Sequence, residues 1–391
     1  MKRAALFAVL LSAATLVAPS HASAVDETCL GEAATIVGAK ETIVDGTEGR
    51  DVIVTNNSFG VFAGGGDDLV CVTGRARVHD TFVTMETGDG NDVVDATLAP
   101  RGWSVALDLG TGADEFVGGA GSDAVLSGPQ GETDVDVMRG GDGSDELFSN
   151  GGADEVYGDN SPDTLIVPAA TDGVLDGGSG HDEISIPVGT GNWLVKLATG
   201  AQRDNVRTHS WTSIESLTAT GVTGHLVVKG TSGRDRVNVF PARGRRPLLD
   251  VATGRGADSF LLHGGLEDTS GIGLGGGTDD VRLHRDGDIT LFLRTGTLVM
   301  GGVAGVSGVE NAAAYGRRTV LIGTNGRNTL KAGQCDTLIR GLGGNDDISR
   351  GRSNAIGISC RGIPKASEIH GGAGRDVCAA AKNRTSCERT D

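Results

Sequence analysis

The chain has 391 residues with a formal net charge of −17, and it contains 65 glycines but only 4% aromatic residues. So much glycine and so few aromatic side chains argue against an ordinary compact core. A chain this acidic is a poor candidate for binding nucleic acid or anionic membranes, and a good one for cations. High charge and low complexity are also typical of disorder. However, an aspartate followed two positions later by an apolar residue recurs in phase along the chain.

The first 24 residues have the organisation of a secretory signal peptide. Lys2-Arg3 forms a basic n-region, residues 4–17 form an apolar h-region, and Ala22-Ser23-Ala24 matches a small-residue cleavage site. The apolar run is short for a bilayer span, and no later stretch rivals it. We therefore predict cleavage near Val25 and a secreted, extracellular mature chain without a membrane span, a retained anchor being the alternative. Cleavage removes two basic residues and no acidic one, which takes the net charge to −19.

All six cysteines lie after the predicted signal, as suits an exported protein. Six cysteines allow fifteen connectivities, and the sequence alone does not choose among them. Neighbours in a solenoid follow chain order, so local pairs that pin the terminal coils are favoured. The pairs predicted on this basis are Cys29–Cys71, Cys335–Cys360 and Cys378–Cys387. The close C-x-x-C pairs of a zinc site do not occur.

The N-terminal part of the chain contains motifs that resemble those of a known protein family. The stretch from Cys29 to Gly38 is followed by GTEGRDVIV around Asp51 and GGGDDLVC around Asp68. Together these resemble the N-terminal module of secreted bacterial calcium-binding proteins with hemolysin-type (RTX-like) repeats. The resemblance implies a parallel β-roll or β-helix, with calcium held by turn aspartates and backbone carbonyls. The predicted signal and the cysteines set this chain apart from RTX toxins and proteases, many of which leave the cell without a cleaved signal.

The repeat is most regular over residues 139–167, where Asp145, Asp154 and Asp163 stand nine residues apart. This spacing matches the nonapeptide G-G-x-G-x-D-x-U-x, whose mechanism is calcium-bound stacking of a parallel β-helix. Glycine lets carbonyls approach an ion closely, and the aspartate adds a hard oxygen of the kind that calcium takes in groups of six to eight. Two nonapeptides complete one coil, so Asp145 and Asp163 should stack on the same edge. The apolar residue of each repeat should point into the core.

Similar turns recur along the rest of the chain, and the full motif appears at Asp123, Asp145, Asp182 and Asp376. Asp136 and Asp172 extend the nine-residue phase without the glycines. Calcium should bind weakly where Ser161-Pro162 replaces glycine before Asp163, and weakly or not at all at Asn328. The residues predicted to hold calcium are Asp51, Asp68, Asp92, Asp114, Gly119, Gly121, Asp123, Gly141, Gly143, Asp145, Gly152, Asp154, Asp163, Gly178, Gly180, Asp182, Asp346, Gly372, Gly374 and Asp376.

Looser motif spacing outside residues 139–167 indicates one well-formed turn in each coil of about twenty residues. We therefore predict an all-β fold, a right-handed parallel β-helix with a β-roll patch in the middle. Its segments are a signal peptide (1–24), a Gly/Asp-rich calcium-binding region (25–186), degenerate β-helix coils (187–330), and a C-terminal repeat with a disulfide cap (331–391). In the degenerate coils, Trp193, Val195 and Leu197 alternate with more polar positions, the period of a half-buried strand. A separate calcium-poor domain over this region is the alternative.

No catalytic signature accompanies the repeats. Neither an H-E-x-x-H metalloprotease motif nor a G-x-S-x-G elbow with triad partners occurs. We predict a non-enzymatic, secreted calcium-binding protein in which calcium stabilises the solenoid, acting as a structural or interaction scaffold. One alternative is a polysaccharide lyase or epimerase, with Asp280, Arg282 and His284 as carboxylate, anion binder and base on one strand, although the same residues suit a solvated face. The other is a calcium-dependent adhesin or matrix protein with an extracellular polymer or cell-surface partner.

Overall fold

The structure is a computed structural model that describes residues 27–75, 81–168, 172–333, 335–350, 360, 367–379 and 383–388. The predicted signal peptide and its cleavage site lie outside this range. Over the described residues the chain is all-β, with 39 short strands numbered β1–β39 in chain order and no helix. Accordingly, this part of the chain contains no helix long and apolar enough to cross a membrane. A two-stranded antiparallel hairpin, β1 (Thr28–Cys29) and β2 (Glu32–Ala33), comes first.

Sixteen strands form one parallel sheet, sheet 1, in which each strand pairs with the strand of the next coil. Its strands are β4 Ile43–Thr47, β6 Gly60–Gly65, β8 Thr81–Asp89, β10 Trp103–Asp108, β12 Ala124–Leu126, β14 Glu146–Phe148, β16 Thr164–Ile166, β18 Glu183–Pro187, β22 Ser216–Val222, β24 Arg236–Pro241, β26 Ser259–His263, β28 Asp280–His284, β32 Asn311–Tyr315, β34 Thr329–Ala332, β36 Asp347–Arg350 and β38 Val377–Ala379.

Two further sheets form the other wall of the solenoid. Sheet 2 is parallel and contains β3 Ile36–Val37, β5 Val52–Val54, β7 Leu69–Cys71, β9 Val93–Asp95, β11 Glu115–Val117, β13 Val137–Arg139, β15 Glu155–Tyr157 and β17 Val174–Asp176. Sheet 3 contains β19 Asn192–Lys196, β20 Gly200–Arg203, β21 Val206–Ser210, β23 His225–Lys229, β25 Leu248–Ala252, β27 Ser270–Gly273, β29 Ile289–Phe292, β30 Thr297–Val299, β31 Val303–Ser307, β33 Arg318–Ile322, β35 Asp336–Gly343, β37 Ser367–Ala373 and β39 Asn383–Thr385.

The second wall changes from sheet 2 to sheet 3 between Asp176 and Asn192, while sheet 1 continues past this point. Sheet 3 differs from sheet 2 in having two antiparallel excursions, β19–β20–β21 and β29–β30–β31, each inserted within a coil. Sheet 1 therefore joins consecutive coils by parallel strand pairing from Ile43 to Ala379, and it is the continuous element of the fold. The chain is an all-β parallel solenoid, in agreement with the sequence prediction.

The core consists of columns of apolar side chains, one from each coil. In sheet 1 the buried column includes Val125, Leu147, Leu165 and Ile184, which are consecutive partners in register. Each of them follows a turn aspartate by two positions, so the prediction that this residue points inward is confirmed. Full burial of such a side chain contributes about 1.5–3 kcal/mol. The alternation predicted for residues 193–197 is also confirmed, because Trp193, Val195 and Leu197 are buried and Lys196 is exposed.

All three predicted disulfides are present: Cys29–Cys71, Cys335–Cys360 and Cys378–Cys387. The first joins the N-terminal hairpin to β7, and the third ties β38 to the segment after β39. Chain order predicted these pairs because a solenoid brings together only residues of the same or adjacent coils. The terminal coils, which have a neighbour on one side only, are therefore covalently closed.

Candidate functional site: two carboxylate ladders

Most strands of sheet 1 are preceded by a turn residue whose side-chain oxygen reaches back to the coil before it. The backbone N–H of Asp123 donates to Asp145 Oδ1 at 2.8 Å, and that of Asp145 donates to Asp163 Oδ1 at 2.9 Å. The stacking of Asp145 on Asp163, predicted from their eighteen-residue separation, is thus confirmed. We call this row ladder 1; its members are Asp123, Asp145, Asp163, Asp182, Glu215, Asp235, Asp258, Asp279, Glu310, Asn328, Asp346, Asp376 and Glu388.

A second row, ladder 2, runs along the turns that precede the strands of sheet 2. Its backbone N–H to Oδ1 distances lie between 2.7 and 3.2 Å. Its members are Asp51, Asp68, Asp92, Asp114, Asp136 and Asp154. The two ladders overlap only in the coils that contain Asp114 to Asp163. Those coils therefore have an aspartate turn on both edges, whereas the coils on either side have one.

Every aspartate predicted to hold calcium lies in one of the two ladders, and each is at most 5% exposed. Asp136, which continues the nine-residue phase, also belongs to ladder 2. Asp172 does not, and its assignment to the phase was wrong. Because Val174 pairs with Glu155, Gly173 occupies the position equivalent to Asp154, and Asp172 is exposed one residue earlier.

In several turns, a glycine five residues before the ladder aspartate makes room for its carboxylate. A Cβ at Gly140 would lie 2.3 Å from Asp145 Oδ2, and one at Gly158 would lie 2.6 Å from Asp163 Oδ2. Only a hydrogen atom fits at that distance. This position, which we write as −5, therefore requires glycine in these two turns, whereas other ladder turns have a larger residue there, such as Thr87 before Asp92 and Leu109 before Asp114.

Glycines at positions −4 and −2 bring one turn against the carbonyls of the preceding turn. Gly141 and Gly143 have φ of 92° and 144°, in the left-handed region that favours glycine. A Cβ at Gly143 would lie 2.0 Å from the Gly121 carbonyl oxygen. All nine glycines predicted to take part in calcium binding occupy position −4 or −2. Before Asp163 these places are taken by Asp159 and Ser161, which adopt φ of 66° and 81°.

In most ladder turns one carboxylate oxygen of the aspartate accepts the ladder hydrogen bond, and in many of these turns the other oxygen has no partner. Within the described part of the chain, eleven ladder aspartates have a buried Oδ2 that accepts no hydrogen bond. A buried ionised carboxylate is strongly disfavoured unless a charge or a donor compensates it. We call the turns with this feature open turns; they end at Asp68, Asp92, Asp114, Asp123, Asp145, Asp163, Asp182, Asp258, Asp279, Asp346 and Asp376.

Three other turns, which we call threonine-closed turns, satisfy their own side chain through a threonine at position −4. Their sequences are GTEGRD, GTSGRD and GTNGRN, ending at Asp51, Asp235 and Asn328. In the first, the Thr47 N–H and Oγ1 donate to Asp51 Oδ2 at 2.7 and 2.9 Å. In the second, the Thr231 N–H donates to Asp235 Oδ2 at 2.8 Å, and its Oγ1 donates to Oδ1 at 2.7 Å.

The third threonine-closed turn has no carboxylate at all. Asn328 Oδ1 accepts from the Thr324 N–H at 2.7 Å, and its Nδ2 donates to the Glu310 carbonyl at 2.6 Å. Asp154 is satisfied in a related way, since the Ser149 hydroxyl donates to its Oδ2 at 2.7 Å. The ladders therefore mix turns whose polar atoms are paired with turns that leave a buried oxygen unpaired.

Burial is the main cause of altered titration in the ladders. It raises the pKa of Asp114 to about 8, the neighbouring carboxylates Asp92 and Asp136 adding to the effect. Burial raises the pKa of the following residues in the same way: to about 7 for Asp123, Asp136 and Asp163, and to about 6 for Asp68, Asp145, Asp182 and Asp346. These carboxylates resist ionisation without a compensating charge, which a hard cation would supply.

The donor set suits a cation that prefers oxygen. Among the described residues, no group of three or more His, Cys, Asp or Glu side chains converges on one point, so a cation bound at the turns would need backbone oxygens as well. The open turns instead offer unpaired aspartate oxygens together with closely spaced backbone carbonyls of consecutive turns. Calcium is coordinated by oxygens of these two kinds. The residues present therefore fit calcium.

Fold and site together define a parallel β-solenoid whose coils are joined along their edges by buried carboxylates. The family model of the RTX calcium-binding nonapeptide repeat, four copies long, matches residues 107–129, 130–165 and 316–348. The protein therefore carries hemolysin-type (RTX) calcium-binding repeats, as its sequence predicted. No curated protein matches the chain.

Sequence reasoning missed three glutamates of ladder 1. The backbone N–H groups of Asp182 and Asp279 donate to Glu215 Oε2 and Glu310 Oε2, each at 3.0 Å, and Asp376 donates to Glu388. In both SIESL and GVENA the glutamate precedes an apolar core residue by two positions, the same signal as Asp-x-apolar. Glu215 and Glu310 each follow one of the antiparallel excursions of sheet 3. In these enlarged coils, the longer side chain of glutamate accepts the hydrogen bond that an aspartate accepts elsewhere in ladder 1.

The raised pKa values give the calcium-free protein an unusual pH dependence. A carboxyl group whose folded pKa exceeds its unfolded value contributes stability below the unfolded value, and this stability is lost as pH rises through the folded pKa. In chelator we therefore expect the melting temperature to rise as pH falls from about 8 to about 5, through the folded pKa values. In excess calcium it should fall instead, because protons compete with the metal. Thermal melts with and without chelator test this; slopes of the same sign would contradict it.

Proposed function

We propose that the protein is an exported calcium-binding solenoid in which calcium at the open turns holds consecutive coils together. The observation that carries the proposal is the set of eleven buried, unpaired aspartate oxygens that the described coils have at equivalent positions. The three disulfides support export, because such bonds persist in oxidising compartments.

Calcium would be held by the open-turn aspartates and by backbone carbonyls of the adjoining glycine turns. When bound, the ion supplies positive charge that compensates the carboxylates stacked along each edge. The chain itself supplies the preorganised turn, since in most open turns positive φ at positions −4 and −2 directs the backbone around the carboxylate. Ion binding is then coupled to folding, because the ligands converge only when the coils stack.

In this proposal the threonine-closed turns stabilise the solenoid without calcium. The threonine at position −4 already gives the second side-chain oxygen a donor, so these turns do not need a cation to be satisfied. Asp51, Asp235 and Asn328 are distributed along the chain. They would hold local structure where calcium is scarce.

The role we propose is non-enzymatic: a rod stiffened by calcium that serves as a structural or interaction scaffold outside the cell. Ladder residues extend from Asp51 to Glu388, so ion-dependent coil stacking would involve nearly the whole described chain. The first property to test is therefore whether calcium binding is coupled to folding of the solenoid. Far-UV circular dichroism of the mature, disulfide-intact protein during a calcium titration tests it, with magnesium as control. A cooperative gain of β signal with calcium alone supports the proposal; full β signal in chelator at neutral pH contradicts it.

Changing Thr231 to glycine is expected to convert a closed turn into an open one. Thr231→Gly turns GTSGRD into GGSGRD and removes the Oγ1 donor to Asp235 Oδ1. It also lets residue 231 adopt the positive φ of glycines at position −4 of open turns, such as Gly254, which would turn its N–H away from Asp235 Oδ2. We expect about one additional calcium per chain by equilibrium dialysis, together with lower stability in chelator, by about 1–2 kcal/mol for the lost hydrogen bonds.

Thr278→Gly is the matched control. Thr278 is exposed and lies directly before Asp279 in an open turn of the same ladder, so the change also adds a flexible glycine to a turn. It should leave the calcium stoichiometry unchanged. Equal stoichiometry in wild type and Thr231→Gly would show that the threonine does not decide occupancy.

A further inference from the structure

A column of four rings lies on the outer face of sheet 1, away from the core. Phe240, His263, His284 and Tyr315 come from β24, β26, β28 and β32, with His263, His284 and Tyr315 aligned in register. Consecutive ring centroids are 4.8, 4.5 and 4.8 Å apart, close to the spacing of neighbouring strands. The faces of the two histidine rings are therefore covered by their neighbours.

Arginines flank this column on both sides. On one side, Arg234, Arg236 and Arg282 line a groove of about 520 Å³ that also contains Asp280. On the other side, a groove of about 400 Å³ is lined by Asp286 and by four arginines. Those four are Arg243, Arg245, Arg246 and Arg285. His263 borders both grooves, so together they form one basic surface centred on the ring column, which we call the arginine surface.

Within the part of the chain that the structure describes, these seven arginines have no carboxylate partner, although the protein is strongly acidic. Among the described ion pairs, the neighbouring Arg317 and Arg318 pair with Asp286 and Asp336, but none of the seven takes part in one. Six of them are exposed, Arg285 being half-buried. Arg246 also donates a hydrogen bond to the Gly301 carbonyl. In a chain of net charge −17, a cluster of arginines without carboxylate partners is not explained by ion pairing within the fold.

The positive charge of the surface comes from the arginines alone. Burial lowers the pKa of His263, and it lowers that of His284 to about 4, so both imidazoles are neutral near pH 7. Asp280, Arg282 and His284 occupy outward positions of β28, as the alternation in the sequence predicted. Only Asp280 and Asp286 bring negative charge into the two grooves.

We propose that the arginine surface binds an acidic polysaccharide. Guanidinium groups pair with carboxylate or sulfate through two parallel hydrogen bonds, and arginine is the side chain best suited to such groups. The surface extends over several coils along the solenoid, which fits a linear polymer better than a compact ligand. Leu261 and the edge of the ring column provide apolar contacts for the sugar rings between the charges.

Single-stranded nucleic acid, the other linear polyanion, is disfavoured by the same geometry. Proteins that bind single strands stack successive bases on free aromatic faces. Here the faces of the histidine rings are covered within the column. The proposal does not depend on calcium occupancy of the turns.

The test is isothermal titration of the full mature chain in excess calcium, at low and fixed ionic strength. Dextran sulfate and galacturonate oligomers too short to gel are the acidic probes, neutral dextran is the uncharged one, and a single-stranded DNA oligonucleotide is the competitor. We expect binding of the acidic polysaccharides only. The double variant Arg236→Ala/Arg282→Ala should weaken it by about tenfold or more, as expected for lost charge-assisted contacts.

Arg101→Ala/Arg340→Ala is the matched control, because both arginines are exposed, lie outside the two grooves and change the net charge equally. It should bind the acidic probes as the wild type does, and circular dichroism should show both variants folded. Absence of binding would overturn the proposal. So would equal weakening by both double variants, which indicates only general electrostatics, or tighter binding of the oligonucleotide.

Discussion

Removal of calcium at pH 7.5 is expected to accelerate amide hydrogen exchange by about a hundredfold at the open turns, the effect of a ligand present at about 100 times its dissociation constant. The physical reason is the unpaired Oδ2 of residues such as Asp145, which stays buried only while a cation compensates it. Exchange should be fastest where both ladders run together, from Asp114 to Asp163. Peptides that contain Thr231 and Asp235 should change much less, since their side chains pair within the turn.

Hydrogen exchange with mass-spectrometric readout measures this directly, at constant pH because intrinsic exchange depends on pH. Magnesium at the same concentration serves as the control for general ionic effects. Uniform acceleration along the whole chain would contradict the distinction between open and threonine-closed turns. Unchanged protection everywhere would contradict calcium-coupled stacking itself.

Gly143→Ala is expected to cause a large loss of stability. The added Cβ would lie 2.0 Å from the Gly121 carbonyl oxygen, and φ at this position is 144°. The clash with a backbone atom cannot be relieved by a side-chain movement, so the two turns must separate. Overpacking and left-handed strain together should lower the free energy of unfolding by about 3 kcal/mol or more. Calcium stoichiometry should fall with it.

Gly131→Ala separates the two causes. Gly131 also has a positive φ, 91°, but an added Cβ would meet no atom within 4 Å. Only the conformational strain remains, about 1 kcal/mol. Urea unfolding in excess calcium measures both variants. Equal losses would show that close approach of the turns is not what glycine provides at position 143.

The regular part of the solenoid could be predicted because its period is short and strict. Nine-residue spacing placed Asp145 on Asp163, and the apolar residue after each aspartate gave the core column. Chain order gave the disulfides for a related reason, since few residues are near one another in a solenoid unless they are near in sequence. Asp172 was misplaced because the coil from Asp163 to Asp182 has one residue more than two nonapeptides. A shift of one residue exchanges the inward and outward positions.

The chemistry of individual turns was less predictable, because it depends on which way a peptide group faces. Thr47 and Gly64 occupy the same position −4, before Asp51 and Asp68, in motifs that look alike. The Thr47 N–H points at its carboxylate, whereas Gly64 adopts φ of 104° and leaves Asp68 Oδ2 unpaired. The consensus motif therefore does not show whether the residue at position −4 closes the turn or leaves it open. Glu215 and Glu310 were not predicted because they accept the ladder hydrogen bond with a glutamate, whereas the motif has an aspartate.

The distribution of the threonine-closed turns has a kinetic consequence. In a solenoid each coil is stabilised mainly by its neighbours, and order spreads from any coil that is already formed. In the calcium-free chain, the threonine-closed turns that end at Asp51, Asp235 and Asn328 would supply three such starting points. Ordering would then proceed from each of them in both directions as the ion arrives. The time to complete the rod would be set by the longest stretch between two threonine-closed turns, from Asp51 to Asp235, rather than by the length of the whole chain.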